Sequence, residues 1–254
     1  MHALSASVAL TIAVLVARHF ARSGWPLAGA DPRLVVATAF LFLAAYAFKA
    51  FGWQRLIAPA ERPGSLGLAA ASGAACVAGA ALPGRVDDAV RIAFLRRVPG
   101  CRAGVGTLCF SLLMLGLIDT IALTPFASAA AASGDLPLAL RIGLAVVALS
   151  WLVRAAGLCL LLSAVGIGLS LPLALVFLSA TAASGALPIA PAGAATQAGA
   201  GAAVLAASGI STTEAIAFAV AAQALAIAVG AVVVLLAAAW FGSRRLGLLR
   251  AFPA

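Results

Sequence analysis

Two charged residues, Asp119 and Arg154, lie inside long apolar segments and are the residues best placed to do chemistry. A charged side chain at the centre of a bilayer costs about 2.5–3.5 kcal/mol on insertion scales, so such residues are rare and mark functional sites by default. Two interpretations stay open. Either the carboxylate and the guanidinium form a direct ion pair, or Arg154 extends toward the interface while Asp119 accepts a hydrogen bond from a neighbouring threonine. In the functional interpretation both residues line a lipid- or substrate-binding site.

A short polar segment, residues 85–97, carries a second set of charges at helical spacing. Arg85, Asp88 and Arg91 are three residues apart, and Asp87 precedes Arg91 by four, so these charges can pair along one side of a helix. The apolar residues of the segment share another face, which predicts a helix at the membrane interface. One interpretation is a solvated face. The other is that an arginine binds a lipid phosphate while the carboxylates hold its guanidinium. The cationic mouth of this segment would comprise Arg85, Arg91, Arg96 and Arg97.

The stretch 185–201 has the pattern of a broken helix within an apolar region. Pro188 and Pro191 each remove a backbone donor and disfavour a helical residue before them, and Gly193 adds flexibility. In a bilayer, freed backbone groups are tolerated only where protein buries them or a cavity supplies partners. We therefore expect a re-entrant hairpin that lines a polar pocket. The plainer alternative is a surface loop followed by a helix of small residues.

Three uncharged polar side chains accompany this hairpin. Thr196 and Gln197 lie on its return limb, and Gln223 lies in the apolar body of the last helical segment. Amides within membrane helices commonly form interhelical hydrogen bonds, which is one interpretation of both glutamines. In the functional interpretation, the amides face the substrate pocket.

The composition is that of an integral membrane protein. Of the 254 residues, 65% are hydrophobic and only 9% are charged, whereas a soluble domain is typically about 25% charged. No soluble catalytic domain fits between the apolar segments, which argues against an enzyme. There is no CxxC motif or Cys/His cluster, and the two histidines lie near the N-terminus, so we expect no metal, no cofactor and no catalytic residue.

The net charge of +9 is carried mainly by arginines at segment ends. At segment ends, arginines set the orientation of the protein in the membrane and attract anionic lipid headgroups. This explanation of the charge is simpler than nucleic-acid binding, so we expect no nucleic-acid partner. The distribution places residues 18–33, residues 83–102 and the C-terminal tail in the cytoplasm, with the N-terminus outside. Lys49 and Arg55 are expected to extend from the end of their helix toward the interface.

The apolar segments predict an all-α fold, a polytopic transmembrane helical bundle with about seven crossings. Residues 189–206 enter the bilayer without crossing it, and residues 66–82, rich in small side chains, are expected to be buried in the bundle. The whole chain, 1–254, is expected to form a single multi-pass domain of the cell membrane. The predicted crossing segments are 3–17, 34–53, 66–82, 104–132, 138–163, 168–187 and 212–241.

Three stretches together resemble one family. They are Trp53-Gln-Arg-Leu56, then Leu82-Pro-Gly-Arg-Val-Asp-Asp-Ala-Val-Arg91, then Leu187-Pro-Ile-Ala-Pro-Ala-Gly193 followed by Thr196-Gln197. In this order and spacing the set resembles the flippase-like integral membrane family, also called the lysylphosphatidylglycerol synthase transmembrane family. The resemblance spans most of the chain, and it implies translocation of lipid between the leaflets.

The chain departs from the family pattern at several charged positions. Asp87 and Asp88 stand where the family usually has Gly-Glu, and Leu115 and Gly116 replace a Glu-Arg pair. Gln223 occupies a place that is often arginine. Several intramembrane charges of the family are therefore absent.

Three functions follow as hypotheses. The leading one is translocation or binding of a membrane lipid with an anionic, phosphate-bearing headgroup. No nucleotide-binding loop is present, so movement would be passive or driven by an ion gradient, with Asp88 and Asp119 as candidate proton-sensitive groups. The alternatives are an accessory subunit or scaffold for a lipid-modifying transferase, and a membrane enzyme acting on lipid. The content of alanine and glycine also permits homodimer packing.

Overall fold

The computed structural model describes Trp25 and residues 27–81, 86–122, 138–186 and 193–245. This part of the chain is all-helical, as predicted, and its helices coincide with the predicted segments that it includes, although residues 123–132 of the predicted segment 104–132 lie outside it. The first predicted crossing, residues 3–17, lies outside the described residues. The eight helices are α1 (Pro32–Arg55), α2 (Ser65–Ala81), α3 (Asp87–Leu95), α4 (Val105–Ala122), α5 (Leu138–Ala164), α6 (Leu171–Ala186), α7 (Gly193–Ala207) and α8 (Thr212–Arg245).

Three of these helices are long and apolar enough to cross a membrane: Pro32–Arg55, Leu140–Ala164 and Thr212–Ser243. Four others are apolar but shorter: Ser65–Ala80, Val105–Ile121, Leu171–Ser184 and Ala194–Ala207. The chain thus has the helices of a membrane protein.

Helices α1 and α5 form an antiparallel pair in contact along most of their length. At one end, the Asp31 amide donates to the Ala164 carbonyl at 3.2 Å. In the middle, the Thr38 hydroxyl donates to the Gly157 carbonyl at 3.1 Å. Toward the other end, a Cβ placed on Gly52 would lie 2.8 Å from a Val147 methyl group, so only glycine allows this approach.

Helices α2 and α8 meet at two glycines. A Cβ placed on Gly73 would lie 2.5 Å from the Gly230 carbonyl oxygen, so the two backbones touch. The surrounding small residues of α2, such as Ala70 and Ala71, are fully buried. The prediction that this small-residue segment packs inside the bundle is confirmed for its first half, whereas Val77 near its end is 36% exposed.

Helix α4 is joined to α1 by a buried hydrogen bond. The Trp53 indole donates to the Ser111 hydroxyl at 3.0 Å, and that hydroxyl donates to the Leu108 carbonyl within α4. Trp53 has no exposed surface. This contact fixes the height of α4 relative to the α1–α5 pair.

Helices α6 and α7 flank the proline-containing stretch and pack against each other. The Phe177 ring of α6 occupies the space beside Gly201 of α7 and meets the Phe218 ring of α8 edge-on at 5.0 Å. Phe177 precedes the end of α6 by nine residues and Gly201 follows the start of α7 by eight, which is the pairing of an antiparallel helical hairpin. Pro188 and Pro191 lie outside the described residues, so the turn itself is not described.

A candidate intramembrane charge cluster

The candidate site lies where α1, α4 and α5 come together. Phe42 and Lys49 are seven residues apart, two turns along one face of α1. Trp151 and Arg154 are three residues apart on α5, which places them on one face as well. The antiparallel packing of α1 and α5 brings these two faces together, and α4 adds Asp119.

Both oxygens of the Asp119 carboxylate are engaged. Lys49 Nζ lies 2.7 Å from one oxygen, and the Trp151 indole N–H donates to the other at 2.9 Å. The Lys49 ammonium also lies 5.3 Å from the centroid of the Trp151 ring, within the range of a cation–π contact. An ion pair with both members hydrogen-bonded offsets much of the cost of placing charge in apolar surroundings.

Arg154 is the third charge of the cluster. Its guanidinium carbon lies 5.6 Å from the Phe42 ring centroid and 6.0 Å from that of Trp151. Among the residues that the structure describes, no carboxylate lies within ion-pair distance of Arg154. The side chain is only partly buried. Its position is ten residues before the end of α5, about 15 Å along the helix axis, which is near the middle of a span.

The cluster therefore carries one positive charge in excess. Lys49 and Asp119 neutralise each other, and Arg154 is left with aromatic faces as its protein partners in the described part of the chain. The Arg154 guanidinium makes no hydrogen bond to the residues that the structure describes, so its N–H groups are available to a ligand. The arrangement can bind an anion by charge-assisted hydrogen bonds.

Two sequence-based expectations about this cluster were wrong. A direct Asp119–Arg154 ion pair is not formed, because Lys49 and the Trp151 indole occupy both carboxylate oxygens. A hydrogen bond to Asp119 was also considered from Thr120 or Thr124. The Thr120 hydroxyl donates instead to the Gly116 carbonyl one turn back, at 2.9 Å, and Thr124 lies outside the described residues.

Lys49 was missed as a site residue. It was expected to extend toward the interface, but it turns instead to the carboxylate of α4. One signal in the sequence pointed to it. Lys49 is the sole lysine of the chain and precedes the end of its helix by six residues, far enough to stay among apolar side chains. Trp151 was also missed, although it is one turn before Arg154.

The charges of α3 pair as the spacing predicted. Arg91 lies 2.6 Å from the Asp88 carboxylate and 3.9 Å from that of Asp87. The two carboxylates thus hold the guanidinium on one side of the helix, while Leu95 is buried. Arg96 and Arg97 are exposed beyond the helix end. Arg85, predicted to belong to this group, lies outside the described residues.

The polar residues near the hairpin are placed on two adjacent helices. Gly193 is the first residue of α7, Thr196 and Gln197 follow in its first turns, and Gln223 lies on α8, which packs against α7. The three polar side chains are partly buried. The interhelical hydrogen bonds considered for the two glutamines are not formed with any residue that the structure describes.

A scan against protein-family models finds no match to this chain, and neither the curated proteins nor the solved structures that were searched contain one. The resemblance to the flippase-like family therefore stays a prediction.

Proposed function

We propose that the protein is a multi-pass protein of the cell membrane that binds phospholipids with an anionic headgroup and moves them between the leaflets. The observation that carries the proposal is the excess cation of the cluster. Arg154 lies near the middle of an apolar helix, partly exposed, with no carboxylate beside it in the described part of the chain. A phosphate is the headgroup component that matches a guanidinium in charge and geometry.

The length of α7 supports the topology that this function needs. With 15 residues, it extends about 23 Å, less than the roughly 30 Å of a bilayer core. We propose that α7 is the re-entrant limb of a hairpin that turns at Pro188 and Pro191 after the crossing by α6, within a bundle of seven crossings.

The two glutamines give the proposed path a polar lining. An amide in hydrocarbon without a hydrogen-bonding partner is costly, and neither Gln197 nor Gln223 finds one among the described side chains and backbone groups. Water or a lipid headgroup passing along α7 and α8 would supply these partners. The proposal involves no covalent chemistry, so no catalytic residue is assigned.

The path would begin at the cationic mouth formed by Arg85, Arg91, Arg96 and Arg97. Exposed arginines at the membrane surface concentrate anionic lipids there. Arg91, held by Asp87 and Asp88, would present a fixed guanidinium to the first phosphate.

The proposal is tested in vesicles that contain the purified protein and a trace of phosphatidylglycerol with a fluorescent headgroup. A membrane-impermeant reductant destroys the label in the outer leaflet alone, so loss of the remaining signal reports translocation. Wild-type protein and Arg33→Gln, a change at an exposed position outside the cluster and the cationic mouth, should both translocate. Arg154→Gln should be slower by about tenfold or more, as expected for loss of a charge-assisted contact. Equal rates for Arg154→Gln and wild type, or no translocation by wild type, would refute the proposal.

A further inference from the structure

The two cations of the cluster face the same ring. The Lys49 ammonium and the Arg154 guanidinium lie 5.3 Å and 6.0 Å from the Trp151 centroid. One of them is neutralised by Asp119 and the other is not. One of the two cations is thus already paired with a carboxylate of the protein itself, and the other is not.

We propose, building on the function proposed above, that Lys49 and Arg154 together bind the phosphate of the ligand and that Asp119 is its internal competitor. In the empty protein, Asp119 occupies Lys49. When a phosphate reaches Arg154, Lys49 exchanges the carboxylate for a phosphate oxygen. Asp119 keeps the Trp151 indole as its hydrogen-bond donor during this exchange.

The charge of the cluster selects the class of phosphate. With Lys49, Arg154 and Asp119 all ionised, the excess is a single positive charge. A phosphodiester carries one negative charge and neutralises the cluster. A phosphomonoester carries about 1.5 to 2 negative charges and would leave uncompensated charge in apolar surroundings. The site therefore favours a diester such as phosphatidylglycerol over a phosphatidic acid.

The position of α4 allows Asp119 to withdraw. The helix lies at the edge of the described bundle, and its outer face exposes Phe110, Leu113 and Leu117. Its polar ties to α1 and α5 in the described residues are the contacts of Asp119 and the Trp53–Ser111 hydrogen bond. A small rotation of α4 about the Trp53 contact, with the Asp119 carboxylate turning on its hydrogen bond from the Trp151 indole, would separate Asp119 from Lys49 without disturbing the α1–α5 pair.

The sole lysine gives a direct readout. Reductive methylation with isotopically labelled formaldehyde adds NMR-visible methyl groups to Lys49, and the N-terminal amine is the other position labelled. Titration of the wild-type protein in detergent with phosphatidylglycerol should shift the Lys49 methyl signal. Phosphatidylcholine has the same phosphodiester but adds a quaternary ammonium, which leaves the positive charge of the cluster uncompensated, so it should shift the signal less. Asp119→Asn should shift the signal before any lipid is added. If the Lys49 methyl signal of the wild-type protein does not shift with phosphatidylglycerol, the proposal is overturned, whether or not the Asp119→Asn variant folds.

Binding affinities provide the second arm. Asp119→Asn should bind phosphatidylglycerol more tightly than wild type, because the competitor is gone. Lys49→Gln and Arg154→Gln should each weaken binding by about tenfold. The double variant Lys49→Gln, Asp119→Asn should lose most of the gain. If Asp119 only stabilises the fold, Asp119→Asn will bind no better than wild type, and the proposal fails.

A further titration uses a soluble glycerol phosphodiester in place of the lipid. It shows whether the site binds the phosphodiester only as part of a lipid or also as a free compound. A Lys49 shift with lipid alone assigns the lipid headgroup, and a shift with both assigns the shared phosphodiester. These outcomes are independent of the vesicle assay. A Lys49 response without translocation would support the binding site and refute transport. Translocation without a Lys49 response would support transport and refute the binding site.

Discussion

Lys49 and Asp119, 70 positions apart in the chain, meet with 2.7 Å between the ammonium nitrogen and a carboxylate oxygen. The pair joins α1 to α4 and is partly exposed, with 26% and 21% of the two side chains accessible. Its surroundings are apolar helices, so each charge depends on the other more than it would on a soluble surface.

Removing one member of this pair should destabilise the fold. Asp119→Ala leaves the Lys49 ammonium and the Trp151 indole without their acceptor, and the expected loss is about 2–4 kcal/mol. Lys49→Met, Asp119→Leu, which removes both charges, should cost less than the two single changes combined. Thermal unfolding in detergent measures these differences, with Arg97→Gln as a control at an exposed position. Strict additivity would show that the pair does not act as a unit.

The contact between Gly73 and Gly230 should not tolerate a side chain. Gly73→Ala places a methyl group against the Gly230 carbonyl, and the expected cost is about 1–3 kcal/mol for overpacking. Gly79→Ala is the matched control, because a Cβ there meets no atom within 4 Å. That change should be neutral or stabilise by up to about 1 kcal/mol through helix propensity. The urea- or heat-induced loss of helical signal distinguishes the two variants. Similar stabilities would mean that α2 and α8 are further apart than described.

The stability cost of a side chain at Gly201 should depend on the Phe177 ring beside it. Gly201→Ala forces the Phe177 ring to move, at a cost of about 1–2 kcal/mol. Phe177→Leu alone should also destabilise, because it empties space beside Phe218. Combined, the two changes should cost less than their sum, since the smaller side chain gives room for the new methyl group. Gly199→Ala serves as the control, because Gly199 is two residues before Gly201 and a Cβ there meets no atom within 4 Å. A cost for Gly201→Ala that is unchanged by Phe177→Leu would contradict the hairpin packing of α6 and α7.

The Trp53–Ser111 hydrogen bond should contribute measurably to the placement of α4. Trp53→Phe removes the donor and Ser111→Ala removes the acceptor, each at a cost of about 1 kcal/mol from the bond itself. The tryptophan change costs more in total because the smaller ring leaves a cavity. A double-mutant cycle isolates the coupling energy, which we expect to be between about 0.5 and 1.5 kcal/mol. A coupling energy of zero would show that Trp53 acts only through packing.

Much of the helical architecture follows from the sequence. The apolar run that contains Tyr46 and the run that contains Leu158 predict their helices to within a few residues, since a bilayer core demands long apolar segments and internal hydrogen bonding. The pairing of Arg91 with Asp88 was also predictable, because it depends only on spacing within one helix.

The partners across helices were not predictable. Asp119 pairs with Lys49 rather than Arg154 because α4 packs against the face of α1 that carries Lys49, and nothing local to either segment specifies that arrangement. An apolar helix that is hydrophobic all round gives little indication of which face meets its neighbour. The glycines at the crossing of α2 and α8 carry such a signal, but many glycines of this chain, such as Gly79, meet nothing.

The end-to-end contact between α1 and α5 divides the charge cluster into two mechanical parts. From the Asp31–Ala164 hydrogen bond to the close approach at Gly52, these helices stay in contact. Lys49, Trp151 and Arg154 all belong to this pair, so the spacing of the two cations is preserved in any rearrangement that keeps the pair together. The carboxylate of Asp119 belongs to a different helix, α4. In the proposed exchange, movement of α4 would leave Lys49 and Arg154 as two unneutralised cations, so access to the site would be controlled by charge rather than by the bulk of a side chain.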